Sequence, residues 1–140
     1  MGRINLGRVI VGGLLAGLVI NISEYVLNTF VIAQAMAASM KAMNLPPLDT
    51  NMILCFVVLA FALGIVTIWI YAAIRPRFGP GVPTAVCAAL IVWFLAYAYP
   101  SAFLMVMHVF SRKAMAISVV WGLAEIIIAG VAGAWAYTEA

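Results

Sequence analysis

Apolar residues fill the chain in four long runs, Val9 to Ala33, Met52 to Ile74, Thr84 to Met107 and Ala114 to Tyr137, and short polar stretches between them hold most of the charges. Each run nears or exceeds the roughly 20 residues a helix needs to cross about 30 Å of hydrocarbon. The pattern predicts membrane-spanning helices at about 5–38, 51–75, 83–108 and 112–138. The first is expected to continue past the hydrocarbon, because Met36, Met40 and Met43 extend an apolar stripe opposite Ser39 and Lys41.

The breaks between the runs have chemical causes. Asn44-Leu45-Pro46-Pro47-Leu48-Asp49 ends the first helix, and Asp49 or Thr50 can cap the second by accepting from first-turn amides. Arg75-Pro76 is expected to end the second helix, because proline disfavours helical geometry in the residue before it. The linker RPRFGPGVP then turns the chain, its two glycines allowing positive φ, with Pro83 suited to the first turn of the third helix. Phe110-Ser111-Arg112 separates the last two spans, with Ser111 as the cap. Loops this short force consecutive helices to run antiparallel. The fold expected is all-α, a single domain over 1–140, an integral membrane up-down-up-down four-helix bundle with both termini on one side.

Composition excludes the soluble alternatives. The 140 residues are 68% apolar and 8% charged, with a mean hydropathy of +1.22, whereas soluble domains carry about 25% charged residues. Four spans leave no length for a soluble catalytic domain. The apolar run after Arg3 and Arg8 is too long for a signal-peptide core, although Ala33-Gln34-Ala35 mimics a cleavage site. A net charge of +3 comes from basic residues scattered over the span ends, which form no basic face for nucleic acid. Lipid headgroups are the expected partners, with Arg75 and Arg77 reaching for phosphates. Arg3, Arg8, Arg75 and Arg77 lie on the side of the termini, against Lys41, Arg112 and Lys113 on the other. This bias favours cytoplasmic termini, with dual insertion as the alternative. Cys55 and Cys87 fall at opposite ends of the bundle and are too far apart for a disulfide.

Two acidic residues interrupt the apolar runs. Gly13, Gly17, Asn21, Glu24 and Asn28 recur at helical spacing and form one stripe on the first span. Lipid offers no hydrogen bonds, so this stripe must face another helix or an aqueous cavity. An ionisable residue at membrane depth is a functional candidate. On the last span, Ser118, Gly122, Glu125, Ala129 and Gly133 share a face, and Glu125 lies at a depth similar to Glu24. If the two carboxyls meet, burial and repulsion favour a shared proton, since no lysine, arginine or histidine lies at that depth. Trp93, Tyr97, Ser101, Leu104 and His108 form a stripe on the third span, broken by Pro100, and Tyr97 and Ser101 are placed to complete a polar pocket. Glu24, Glu125, Asn21, Asn28, Tyr97 and Ser101 are thus the expected ligand- or proton-binding residues; Gly13, Gly17, Gly122 and Gly133 are expected to serve helix packing. Tyr71, Trp69, Trp135 and Tyr137 read as interfacial anchors.

Other chemistry finds little support. One histidine, His108, cannot ligate a haem from both sides, and the methionines near it are ordinary membrane filler, so neither metal nor cofactor is expected. No phosphate-binding glycine loop and no serine-histidine-acid set is present, so hydrolase or NTPase activity is not indicated.

With GLLAGLVINISEYVLN near its start and WIYAAIRPRFGPG in its middle, the chain resembles a group of small four-helix bacterial inner-membrane proteins described as hypothetical. The resemblance implies the fold and a bacterial inner-membrane location, and no substrate. Small multidrug-resistance transporters are a looser likeness, with a glutamate in the first of four helices. The expected function is proton-coupled or cation-linked transport of a small molecule, by a homo-oligomer or within a larger membrane complex. The alternative is an accessory subunit docked through its small-residue faces, and an enzyme using a carboxylate on lipid or quinone is a third reading without a visible cofactor site.

Overall fold

The computed structural model describes residues 3–139, which are helical almost throughout. Four helices are long and apolar enough to cross a membrane: α1 (Leu6–Val31), α3 (Thr50–Phe78), α4 (Val82–Val106) and α5 (Arg112–Trp135). A short helix, α2 (Ala33–Ala42), follows α1. The chain is a polytopic, all-helical membrane protein.

Local chemistry sets the helix ends. The side chain of Asn5 accepts from the Arg8 amide to start α1, and Asp49 accepts from the Met52 amide at 2.8 Å to start α3. Ser111 accepts from the Ala114 amide ahead of α5. Two non-glycine residues stop helices in left-handed geometry. Asn44 (φ 54°) follows α2 and His108 (φ 55°) follows α4; in each case the next amide folds back five residues, Leu45 to the Met40 carbonyl and Val109 to the Leu104 carbonyl. His108 is therefore a helix terminator. Its ring lies 3.1 Å from the Arg112 guanidinium.

Two expected boundaries are corrected. The first helix does not run unbroken to residue 38: it widens into a π-helical turn at Leu27–Val31, bends at Ile32 and resumes as α2. The second does not stop at Arg75. Pro76 sits inside its last turn and the helix continues to Phe78, ending at Gly79 with φ 83°. A proline so near the end removes little of the hydrogen-bond ladder, and the glycine makes the reversal.

Close backbone contact holds α1 against its neighbours. A Cβ on Gly13 would strike the backbone of Ile65, and one on Gly17 would lie 2.7 Å from the Phe61 Cα. Gly64 of α3 is likewise pressed onto Gly13 and Gly17. The pairings 13 with 65 and 17 with 61 run in opposite senses along the two helices. On α5, Gly133 opposes Gly12 so closely that a Cβ on Gly12 would stand 2.5 Å from its carbonyl oxygen. Ile20, Ile68, Ala88, Ala89 and Ile126 complete the core between the helices. Small residues give membrane helices the contact that apolar side chains, equally content in lipid, do not drive.

At one end of the molecule, the start of α1, the turn after α3 and the segment after α5 meet. The Asn5 amide donates to the Tyr137 hydroxyl, and the Gly81 amide donates to the Tyr71 hydroxyl. The Tyr71 and Tyr137 rings pack edge to face at 5.9 Å, and the Arg75 guanidinium lies 5.5 Å from the centre of the Tyr137 ring. Arg75 also forms an ion pair with Glu139 at 3.3 Å. Two expectations change here. Tyr71 and Tyr137 are buried, each 4% exposed, so of the aromatic anchors only Trp69 and Trp135 face outward. Arg75 turns inward to Glu139 and Tyr137, which leaves Arg77 exposed to meet lipid phosphates. The opposite end is looser. Ile53, Leu54, Phe56, Val58 and Leu59 of α3 are all exposed, so this helix faces lipid on nearly every side there.

Candidate functional site

Glu125 is the buried acid of the bundle, 3% exposed despite lying in the middle of α5. Three helices converge on it. Its Oε1 accepts a 2.6 Å hydrogen bond from the Tyr97 hydroxyl of α4. Ser23 and Glu24 of α1 lie alongside, within reach of its carboxyl group. Its Oε2 is buried and has no aligned hydrogen-bond partner. The two carboxyls, whose meeting the sequence left open, are neighbours from helices distant in sequence.

The tyrosine reaches the acid because α5 has no side chain in its way. A Cβ on Gly122 would collide with the Tyr97 ring. Gly122, expected to serve helix packing, accordingly seats the ring of a site residue. Tyr97 lies in a second π-helical turn, Phe94–Ala98, immediately before Pro100. Proline has no N–H to offer the carbonyl of residue 96, and the ladder around it slips to bonds spanning five residues, with the Tyr99 amide on the Phe94 carbonyl. The expected bend at Pro100 thus takes the form of a widened turn that carries Tyr97.

A comparable turn adjoins Glu24. The Asn28 side-chain amide donates both to the Glu24 carboxyl oxygen Oε2, at 2.8 Å, and to the Glu24 backbone carbonyl, at 2.9 Å. That carbonyl would otherwise take the Asn28 amide in a regular α-helix, and the π turn begins there, at Leu27. Glu24 is half-buried and Asn28 exposed. The acid on α1 is therefore the one nearer the outside, and that on α5 the deep one.

The remaining expected site residues separate. Asn21 does not join the acids: its amide donates to the Gly17 carbonyl at 3.0 Å and across to the Val57 carbonyl of α3 at 3.3 Å, clamping α1 to α3. Ser101 stands one turn beyond Tyr97, half-buried and outside these hydrogen bonds. Gly13, Gly17 and Gly133 all pack helices, as described above. Two residues at the site were not singled out from the sequence. Trp121, one turn before Glu125, donates its indole N–H to the Ser23 hydroxyl at 2.9 Å and ties α5 to α1. Ser23 borders Glu125 and directly precedes Glu24. Their signal was available as polar partners at the depth of the acids, but a lone serine and a lone tryptophan have many ordinary uses in a membrane helix.

Electrostatics define what the arrangement can do. Among the described residues Arg75–Glu139 is the one ion pair, and it lies at the far end from Lys41, Arg112 and Lys113. No cation among the described residues pairs with Glu24 or Glu125. Two adjacent carboxyl groups without a neighbouring cation can relieve their repulsion by sharing a proton. No protein-family model, curated protein or solved structure matches the chain.

Proposed function

We propose that this protein is a small proton-linked transporter of the bacterial inner membrane, in which Glu24 and Glu125 share and exchange a proton as a small molecule crosses. The observation that carries the reading is the buried carboxyl of Glu125 beside a second carboxyl, with no cation next to the pair among the described residues. A proton between the two groups gives one oxygen a donor and relieves the repulsion, so one carboxyl of the pair is neutral at rest. Asn28 and Tyr97 hold the outer oxygens. The flanking π turns supply segments whose backbone ladders are already loosened, as a site that changes partners requires.

In this reading the four spans alternate in direction, up-down-up-down, with both termini cytoplasmic. The opposed glycine registers and the meeting of Asn5, Gly81 and Glu139 at one end support alternating spans with the termini on one side, and the four basic residues at that end against three at the other favour the cytoplasm. The bacterial location rests on the resemblance carried by GLLAGLVINISEYVLN and the RPRFGPG turn. Exposure of Asn28 on a membrane span supports assembly of copies, since its amide N–H groups turn back to Glu24 but lipid cannot satisfy its side-chain carbonyl oxygen. An accessory subunit docking through its glycine faces is the weaker reading, because Gly12, Gly13, Gly17 and Gly133 are already covered within the chain.

The test is proton movement in proteoliposomes holding an internal pH dye, challenged with solutes from the inorganic-cation, amine and neutral-amphiphile classes. The wild type is expected to move protons in response to one class. Glu24→Gln and Glu125→Gln should insert and fold but lose that response. Undiminished proton movement in Glu125→Gln contradicts the reading.

A further inference from the structure

The end of the molecule opposite Asn5 and Glu139 carries a groove that the carboxyl pair does not use. Ala35 and Met36 of α2 join Ala114, Ile117 and Trp121 of α5 in a small apolar cluster, which holds α2 alongside the turn between α4 and α5. Beyond that contact the two surfaces part and leave a cavity of about 510 Å³. Ala35, Ala38, Ser39 and Ala42 form one wall, at the spacing of a single helix face, and His108 and Ser111 stand on the other. Small side chains on α2 keep the groove open.

The turn supplies donors. His108 has φ 55°, at a position after a helix that glycine ordinarily fills, so a histidine there costs backbone strain. Its ring is engaged: Nδ1 lies 3.1 Å from a guanidinium nitrogen of Arg112. A guanidinium only donates, so Nδ1 accepts and Nε2–H is left as a further donor. The Ser111 hydroxyl accepts from the Ala114 amide and keeps its own O–H to give. Across the groove, Ser39 gives its O–H to the Ala35 carbonyl and so offers an acceptor.

Charge at this end is one-sided. Lys41 precedes the wall residue Ala42, and Lys113 follows Arg112. Among the described residues none of these three cations forms an ion pair. The four acids of the chain are placed elsewhere or engaged: Glu24 and Glu125 within the spans, Glu139 on Arg75, and Asp49 on the Met52 amide.

These features restrict the occupant. Several donors beside a guanidinium suit an anion with several oxygens, and a phosphate matches the planar fork of arginine. The groove lies where α1, α4 and α5 leave the hydrocarbon, at the depth of lipid headgroups, and the half-buried Val109 and Phe110 add apolar surface to it. A choline or ethanolamine headgroup would bring a further cation among the three already there. We infer that the groove binds the headgroup of an anionic phospholipid, its phosphate on Arg112, His108 and Ser111 and a headgroup hydroxyl on Ser39. The site is separate from Glu24 and Glu125 and does not depend on proton movement between them.

The experiment is native mass spectrometry of the full chain in detergent, titrated with phosphatidylglycerol and, separately, with phosphatidylcholine of the same acyl chains. Phosphatidylglycerol should fill one site per chain about tenfold more tightly than phosphatidylcholine, the scale of a hydrogen bond to a charged group. Arg112→Gln should remove most of that preference. His108→Gly suits the left-handed backbone and so keeps the fold, and it should weaken phosphatidylglycerol about fivefold. Ala38→Leu fills the groove without altering charge and should weaken it too. Arg8→Gln removes a cation from the opposite end and should change nothing. A loss in Arg8→Gln equal to that in Arg112→Gln indicates general surface attraction and overturns the site. Equal affinity for the two lipids, or binding unchanged in both His108→Gly and Ala38→Leu, overturns it as well. Inorganic phosphate that displaces the lipid at equal concentration identifies the free anion as the ligand and overturns the lipid assignment.

Discussion

The two oxygens of Glu125 live in different surroundings: Oε1 takes the Tyr97 hydroxyl, and Oε2 is buried without an aligned partner beside Glu24. That difference separates the expected effects of two conservative substitutions. Tyr97→Phe removes the donor and orphans the remaining oxygen, so it should destabilise the folded protein by about 1–3 kcal/mol in detergent unfolding. Glu125→Gln keeps the shape and replaces the acid by an amide that has its own donors, so its cost should be less than that of Tyr97→Phe in the same assay. Gly122→Ala should behave like Tyr97→Phe, because the added methyl displaces the ring. Combined with Tyr97→Ala, the glycine substitution should add little further loss, a non-additivity that marks direct contact. At this scale the sequence showed which residues were anomalous and not whom they would meet. Glu24, Glu125 and Tyr97 stood out as polar groups at membrane depth. Asn21 stood out equally, yet it bonds the Val57 carbonyl, since helical spacing places a residue on a face without saying which helix that face meets.

Elements show the same division. The spans were legible because apolar length is a demand of the bilayer itself, and Asp49 and Ser111 cap as their positions suggested. The π turns were not legible. One arises where the Asn28 side chain takes a backbone carbonyl, the other where Pro100 withholds an amide, and helical periodicity is too coarse to register one extra residue in a turn. Packing between elements yields a graded prediction. Gly13→Leu must force α1 away from the Ile65 backbone and should abolish the folded, monodisperse species on size-exclusion chromatography. Gly79→Ala meets no atom within 4 Å but forces an alanine into backbone angles of φ 83° and ψ 166° that only glycine ordinarily adopts, so its cost should be about 1–3 kcal/mol, well short of the Gly13→Leu effect.

Across the whole molecule, one end is knitted and the other open. Asn5, Tyr71, Arg75, Tyr137 and Glu139 tie three chain segments together at the first, while α3 stands largely exposed at the second. The Arg75–Glu139 pair is partly solvent-exposed, with side chains 19% and 37% accessible, so Glu139→Gln should cost no more than about 1 kcal/mol. Its consequence is topological, since it joins the end of α3 to the segment after α5. Cysteines placed at positions 5 and 80, in a background with Cys55 and Cys87 replaced, should react with an impermeant thiol reagent from the same side of the membrane, and one at position 110 from the other. The proposed function, however, depends on a proton shared by Glu24 and Glu125, where no cation is found among the described residues. Infrared difference spectroscopy of the carboxyl stretch in the reconstituted protein measures that proton directly. A protonated-carboxyl band at neutral pH, shifted in heavy water and lost in Glu125→Gln, is the predicted result. A wild-type spectrum with every carboxyl ionised at neutral pH would contradict the account.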